Sequence, residues 1–130
     1  MYGSMIEFIR LRLNDLLPYG ITTISLFDGD NPAAIRLVPT GNPIEYQDID
    51  NFNFNFQVLV RCQKGRDSLP LCDKIIKALH ARHNELNSLQ PEYKFISIKC
   101  SNLPSWIQRD EEGRDIYSMI FTSELQNKEW

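Results

Sequence analysis

The chain has 130 residues, of which 42% are hydrophobic, and this size suits one domain, spanning residues 1–130, with one substantial core. Its 14 basic residues against 17 acidic ones, and its pI of about 5.3, argue against a surface built to hold the phosphates of nucleic acid. The three cysteines contain no Cys-x-x-Cys pair, and neither a signal-peptide pattern nor an apolar run of about eighteen residues occurs, so we expect reduced thiols in a soluble cytoplasmic product without a membrane segment.

The N-terminal part of the chain predicts one helix and two modest strands. Ser4 and Glu7 have the spacing of a capping box, and the apolar residues that follow recur at helical spacing. The apolar run 24–27 and the weakly alternating segment 34–38 predict two strands joined by a polar turn. We interpret segment 40–50, which is rich in turn formers and carboxylates, as a loop or a ragged strand.

Residues 51–63 carry the strongest pattern in the chain. The even positions, from Phe52 to Cys62, are all apolar, whereas the odd positions are polar except for Leu59. Alternate side chains of an extended backbone point to opposite faces, so this segment predicts a strand with its phenylalanines in the core and its amides outward. Because a common strand has only about 5 to 6 residues, we expect so long a strand to offer one end to a partner.

A second amphipathic helix is predicted after this strand. Ser68 is its candidate N-cap, and Pro70 fits the first turn, where a residue has no intrahelical N–H partner to lose. Apolar residues then recur at three- and four-residue spacing to about residue 88. Both predicted helices have one apolar face, as expected of helices that pack on one side of a sheet.

The C-terminal part predicts three strands. Residues 93–101 alternate, with apolar even positions, and residues 104–109 and 114–125 predict a hairpin around an acidic turn at 110–113. The last strand is apolar on both faces, so we expect it inside the sheet or against another subunit. The order of elements predicts an α+β fold, with a largely antiparallel sheet and two amphipathic helices on one face.

The sequence offers no convincing catalytic or metal-binding pattern. His80 and His83 lie three residues apart on the second predicted helix, but no further ligand follows at helical spacing. Residues 28–31 resemble a calcium loop only in their first positions, which favours a turn. Because no phosphate-binding loop or nucleophile motif occurs either, we predict no enzyme, no catalytic residues, no cofactor and no metal.

Two surfaces are candidates for contact with a partner. Amides on the outer face of the central strand can donate and accept hydrogen bonds without the desolvation cost of charges, and an exposed acidic turn can contact another protein; the alternative is that both are simply solvated. The candidate interface residues are Asn51, Asn53, Asn55, Gln57, Arg61, Asp110, Glu111, Glu112 and Arg114.

Several segments resemble the minor capsid and tail terminator proteins of long-tailed bacteriophages. They are the helix with Ile-Glu-Phe-Ile-Arg at 6–10, the strand 54–61, the helix 67–79, and a closing hairpin with Trp-Ile-Gln at 106–108 and Asp-Glu-Glu-Gly-Arg at 110–114. The resemblance covers nearly the whole chain.

The resemblance implies a structural protein of a phage or prophage virion, assembled in the host cytoplasm. Such proteins form a homomeric ring, usually a hexamer, that caps the tail tube, stops its polymerisation and docks it to the head completion or connector protein. The implied partners are other copies of the chain, the tail tube protein and the connector, with DNA only passing through the lumen. Near relatives of the family complete the head or join it to the tail.

Two other functions fit the sequence. One is a small cytosolic ligand-binding module or enzyme that uses the helix face of His80 and His83. The other is an acidic adaptor or immunity-type protein that binds a basic partner, as the acidic composition allows.

Overall fold

The computed structural model describes residues 2–17, 20–24, 33–40, 51–62 and 67–127. Within these ranges the chain forms three helices and five strands: α1 (Tyr2–Leu16), β1 (Gly20–Ile24), β2 (Ala33–Pro39), β3 (Asn51–Cys62), α2 (Ser68–Leu79), α3 (His83–Ser88), β4 (Lys94–Arg109) and β5 (Asp115–Gln126). Residues 25–27 of the first predicted strand, the turn at 28–31 and the predicted loop after Thr40 lie outside the described residues. In the part that is described, no helix is long and apolar enough to cross a membrane.

The strands form one sheet in the order β1-β2-β3-β5-β4. The pairs β2–β3, β3–β5 and β4–β5 are antiparallel, which confirms the predicted α+β class with a largely antiparallel sheet. The exception is β1, which pairs with β2 in parallel. It begins at Gly20, so the first predicted strand overlaps it only at Ile24.

The central strand is the one predicted from the alternating segment. The even residues of β3 are buried, and Phe56 lies opposite Phe121 of β5 with their rings stacked at a centroid distance of 5.4 Å. Phe54 lies 5.4 Å from Phe56 along the same face. These rings join the apolar faces of the helices in one core, because all three helices pack against this side of the described sheet.

The second predicted helix is in fact two helices. The chain leaves helical geometry at Ala81, whose φ is 58°, and begins α3 at His83. Here the N–H of Ala81 donates to the carbonyl of Ile98 at 2.8 Å, and the N–H of Cys100 donates to Nδ1 of His80 at 3.0 Å. The apolar stripe continues across the break, so periodicity alone does not show it.

Two predicted helix starts were wrong. Helix α1 begins at Tyr2, and in place of a capping box the Ser4 hydroxyl donates to Glu92 while the Glu7 carboxylate accepts from Arg10. Asp67, rather than Ser68, precedes α2.

Strand β4 combines two strands that the sequence predicts separately. It runs through Pro104, which is tolerated because β4 lies at the edge of the sheet. A register shift between Phe95 and Ser97 places both Phe95 and Ile98 in the core, so the predicted apolar even face does not hold along the whole strand. Strand β5 lies between β3 and β4, which accounts for its two apolar faces.

Asparagine side chains bind the backbone of both edge strands. The amide of Asn14 on α1 accepts from the N–H of Thr22 at 2.8 Å and donates to its carbonyl at 3.5 Å. The amide of Asn87 on α3 makes the same pair of hydrogen bonds with Phe95, at 2.8 Å each. Each amide takes the place of a neighbouring strand at that residue.

Candidate interaction surface

The sheet face opposite the helices is lined by the amides of β3. Asn51, Asn53, Asn55 and Gln57 are half-buried there, as predicted, and their cross-strand neighbours on β5 are polar except for Ile120 opposite Gln57. Nε2 of Gln57 donates to the Ser118 hydroxyl at 2.8 Å. A shallow depression of about 310 Å³ lies on this face, lined by Asn53, Asn55, Ser97, Lys99, Thr122, Ser123 and Glu124. The amides therefore form an open, nearly neutral surface.

Arg61 is held closer to the protein than the amides. It is 7% exposed and lies in register between Ala34 of β2 and Ile116 of β5. Its aliphatic stem can therefore cover apolar sheet surface at the end of β3.

Asp110 and Arg114 build the turn of the β4–β5 hairpin. Oδ1 of Asp110 accepts from the N–H groups of Glu112 and Arg114 at 3.0 and 2.9 Å, and Oδ2 accepts from Nε of Arg114 at 2.7 Å. Gly113 supplies the positive φ of 81° that the turn requires. Of the acidic residues in the turn, Glu111 and Glu112 are exposed.

Three exposed apolar residues on β4 were not among the predicted interface residues. Leu103 is 74% exposed, Trp106 56% and Ile107 43%. The indole N–H of Trp106 donates to Oδ1 of Asp115 at 3.0 Å, and Nε of Arg109 donates to the same oxygen at 3.0 Å. The sequence does contain a signal for them, because these apolar residues interrupt the strict alternation beside Pro104. That signal did not show which side of the strand is exposed.

A family comparison identifies the chain. The family model described as bacteriophage tail terminator protein matches residues 11–127, which is nearly the whole sequence. This chain belongs to the bacteriophage tail terminator family. The tail terminator is thus a component of the phage virion, in a structural rather than an enzymatic family.

Two other comparisons add little to the family match. A search of curated proteins finds no match to this tail terminator. One solved structure is similar over 98% of this chain and over 94% of its own chain, with 12% sequence identity and a TM-score of 0.47.

The histidines of the tail terminator do not form a ligand site with its cysteines. Nδ1 of His80 is used as an acceptor for the backbone of Cys100, and Cys72 is buried in the core. Burial raises the pKa of the Cys72 thiol to about 12, which leaves it a poor nucleophile. Among the described residues, no group of three His, Cys, Asp or Glu side chains is placed to hold a metal ion.

The hairpin of the tail terminator should lose two ionic contacts in acid. The backbone N–H of Arg114, and then its guanidinium, lower the pKa of Asp110 below the ordinary 3.8, and the indole of Trp106, followed by Arg109, lowers that of Asp115. Because both folded pKa values are lowered, the stabilisation is present above pH 3.8 and is lost as the pH falls through the folded values.

Carboxyl carbon chemical shifts followed by NMR check this directly. We expect both aspartates to titrate below pH 3.8. In a Trp106→Phe variant the midpoint of Asp115 should rise while that of Asp110 stays in place, because only Asp115 loses its indole donor. Midpoints at or above the ordinary value in the wild-type protein would contradict the contacts described.

Proposed function

We propose that this tail terminator forms a closed ring of identical subunits, a hexamer, on the head-proximal end of the tail tube. The ring stops tube polymerisation and presents a surface to the head completion or connector protein, while DNA passes through the lumen without base-specific contacts. The chain acts as one domain without catalytic residues, cofactor or metal. The family match over residues 11–127 supports this proposal.

The observation that carries the proposal is the amide-lined sheet face. All three helices of the described chain pack on the other side, so the face of Asn53 and Asn55 carries no helix from those residues. Amides and hydroxyls pair readily with another protein's backbone, and burying them costs less than burying charges. We assign the tube contact to this face.

The remaining candidate interface residues divide into two groups in the proposal. Glu111 and Glu112 are exposed, so both can contact a partner subunit, although Glu112 also pairs with Arg114 at 3.3 Å. Arg61, Asp110 and Arg114 act by holding the sheet end and the turn in shape, because they are buried or bonded within the hairpin.

Capping of growing tubes tests the proposal. Purified wild-type protein added to polymerising tail tube subunits should give short tubes with an extra ring of density at one end in electron micrographs. A variant with Asn53→Arg and Asn55→Arg should need at least about tenfold more protein for the same length distribution, because a long charged side chain costs more to bury at an interface than an amide. The control Asn84→Arg, exposed on α3, should act like the wild type.

Two results would count against the proposal. If tubes grow to full length in the presence of wild-type protein that stays monomeric, the proposed terminator function is wrong. If the double variant and the control cap tubes equally well, the amide face does not contact the tube.

A further inference from the structure

The sheet edge at β4 is covered over its first half and open over its second. The backbone of Phe95 is bound by Asn87, the carbonyl of Ile98 by the N–H of Ala81, and the N–H of Cys100 by His80. From residue 101 to residue 109 every residue except half-buried Pro104 is exposed. The second half of this edge therefore exposes the apolar side chains of Leu103, Trp106 and Ile107, as a surface that binds another protein does.

Trp106 is fixed in position on this open half. Its indole N–H is held by Asp115, whose side chain is 16% exposed, and Asp115 is held in turn by Arg109. The ring therefore loses little rotamer freedom when another surface covers it. An exposed tryptophan with a fixed orientation has the properties of a binding anchor.

The turn next to Trp106 carries excess negative charge. Asp110 and Arg114 neutralise each other at 2.7 Å, whereas Glu111 is exposed and Glu112 lies 3.3 Å from Arg114. The end of the hairpin thus joins an apolar anchor to an acidic tip.

A groove with the opposite charge lies between α1 and the α2–α3 region. Its volume is about 410 Å³, and its apolar lining comes from Leu17 and Ala78, with half-exposed Leu16 beside them. Its charged lining is Lys74, Lys77, Arg82 and Glu85.

Two acidic residues at the groove, among those that the structure describes, are paired with basic ones. Glu85 pairs with Arg12, and Asp73 pairs with Lys77 at 3.0 Å, with both side chains of that second pair largely exposed. Of the charged lining residues that the structure describes, three are basic and one is acidic, so this lining has a positive excess. An exposed pair such as Asp73–Lys77 resists a new partner only weakly.

We propose that the hairpin end, comprising Trp106, Glu111 and Glu112, docks into the α1–α2 groove of an adjacent copy of the chain. The inference rests on the ring of the proposed function and names its subunit contact. The two surfaces complement each other in charge and each offers apolar area, which gives the pair both specificity and orientation. Because the hairpin end and the groove are different surfaces, the contact is head-to-tail, which is the type that closes rings.

Charge exchange tests the pairing. One variant carries Glu111→Lys and Glu112→Lys, and the second carries Lys74→Glu and Lys77→Glu. Sedimentation velocity at low ionic strength should show that each variant alone needs at least about tenfold more protein than the wild type to form rings, since like charges then meet at every contact. A 1:1 mixture of the two, and the variant with all four changes, should form rings again, because opposite charges face each other at every contact.

Lys94→Glu is the matched control, since Lys94 is an exposed lysine at the other end of β4. It should assemble like the wild type. Circular dichroism and thermal melting should show that every variant is folded.

Tryptophan fluorescence gives an independent reading. The chain has two tryptophans, so Trp130→Phe leaves Trp106 as the only one. We expect its emission to move to shorter wavelength as rings form, because the exposed indole becomes buried. The shift should be absent at the same protein concentration in the variant with Glu111→Lys and Glu112→Lys, which stays monomeric.

The outcomes separate this inference from the proposed function. Normal rings from either charge variant alone, or no recovery in the mixture, would overturn the hairpin–groove contact and leave the ring intact. Loss of tube binding with rings unchanged would assign the hairpin to the tube protein and would also overturn it. If the wild-type protein stays monomeric even when tail tubes are present, both the proposed ring and this contact are wrong.

Discussion

Replacing Phe56 by alanine should destabilise the protein by about 3–5 kcal/mol, the usual cost of removing a fully buried aromatic side chain. Phe56 is completely buried at the centre of β3, and its ring stacks on Phe121 and contacts Phe54. The change leaves a cavity in the core beside Phe54 and Phe121, on the side of the sheet that faces the helices. Because domains of this kind are stable by only about 5–15 kcal/mol, much of the protein should unfold or aggregate at moderate temperature.

Chemical denaturation followed by circular dichroism measures this loss, with Asn55→Ala as the control. Asn55 directly precedes Phe56 on the same strand but points to the other face, where its side chain is half-buried. We expect that control to change the free energy of unfolding by less than about 1 kcal/mol. A similar loss in the free energy of unfolding for both variants would contradict the description of one face of β3 as buried core and the other as partly exposed.

Replacing Asn87 by alanine should have the second largest effect, about 1.5–3 kcal/mol. The substitution removes two hydrogen bonds of 2.8 Å and leaves the N–H and the carbonyl of Phe95 without their partner. An unsatisfied polar group near the core costs about 1–3 kcal/mol, whereas an ordinary hydrogen bond contributes only about 1 kcal/mol, so the unpaired strand backbone dominates the loss.

Asn84→Ala is the matched control for this prediction, because Asn84 is an exposed asparagine on the same short helix. It should leave the free energy of unfolding almost unchanged. Hydrogen exchange locates the effect: the amide of Phe95 should exchange much faster in the Asn87 variant, while amides in the middle of β3 keep their relative protection. Unchanged exchange at Phe95 would show that the side-chain cap does not protect this edge.

The two asparagine caps limit the open backbone at the edges of the described sheet. An edge strand normally attracts other strands along its whole length, and here Asn14 and Asn87 occupy the backbone at one residue of each edge. Pairing with a further strand is thus blocked at Thr22 and at Phe95. The Asn87→Ala variant should therefore also aggregate more readily.

The sequence by itself determined the parts of this protein that depend on local periodicity. The alternation in residues 51–63 predicted the alternating burial of β3 from Asn51 to Val58, because side chains on an extended backbone have a period of two whatever surrounds them. It did not predict that Leu59 and Arg61, at odd positions, would be buried as well. The amphipathic stripes predicted helices on one side of the sheet, and the two apolar faces of the last strand predicted an interior or interface position. The family resemblance from the same segments was confirmed.

The tertiary structure alone decided the features that depend on contacts distant in sequence. The break between α2 and α3 forms where the backbone at Ala81 meets Ile98 of β4, and the register shift after Phe95 brings two residues of unlike parity into one core. The parallel pairing of β1 and the fusion of two predicted strands into β4 likewise follow from which strands lie side by side. Exposure of Trp106 follows from the same cause. The contacts described between the α2–α3 region and the edge of β4 reach only as far as Cys100, and no local pattern records where a neighbouring element stops.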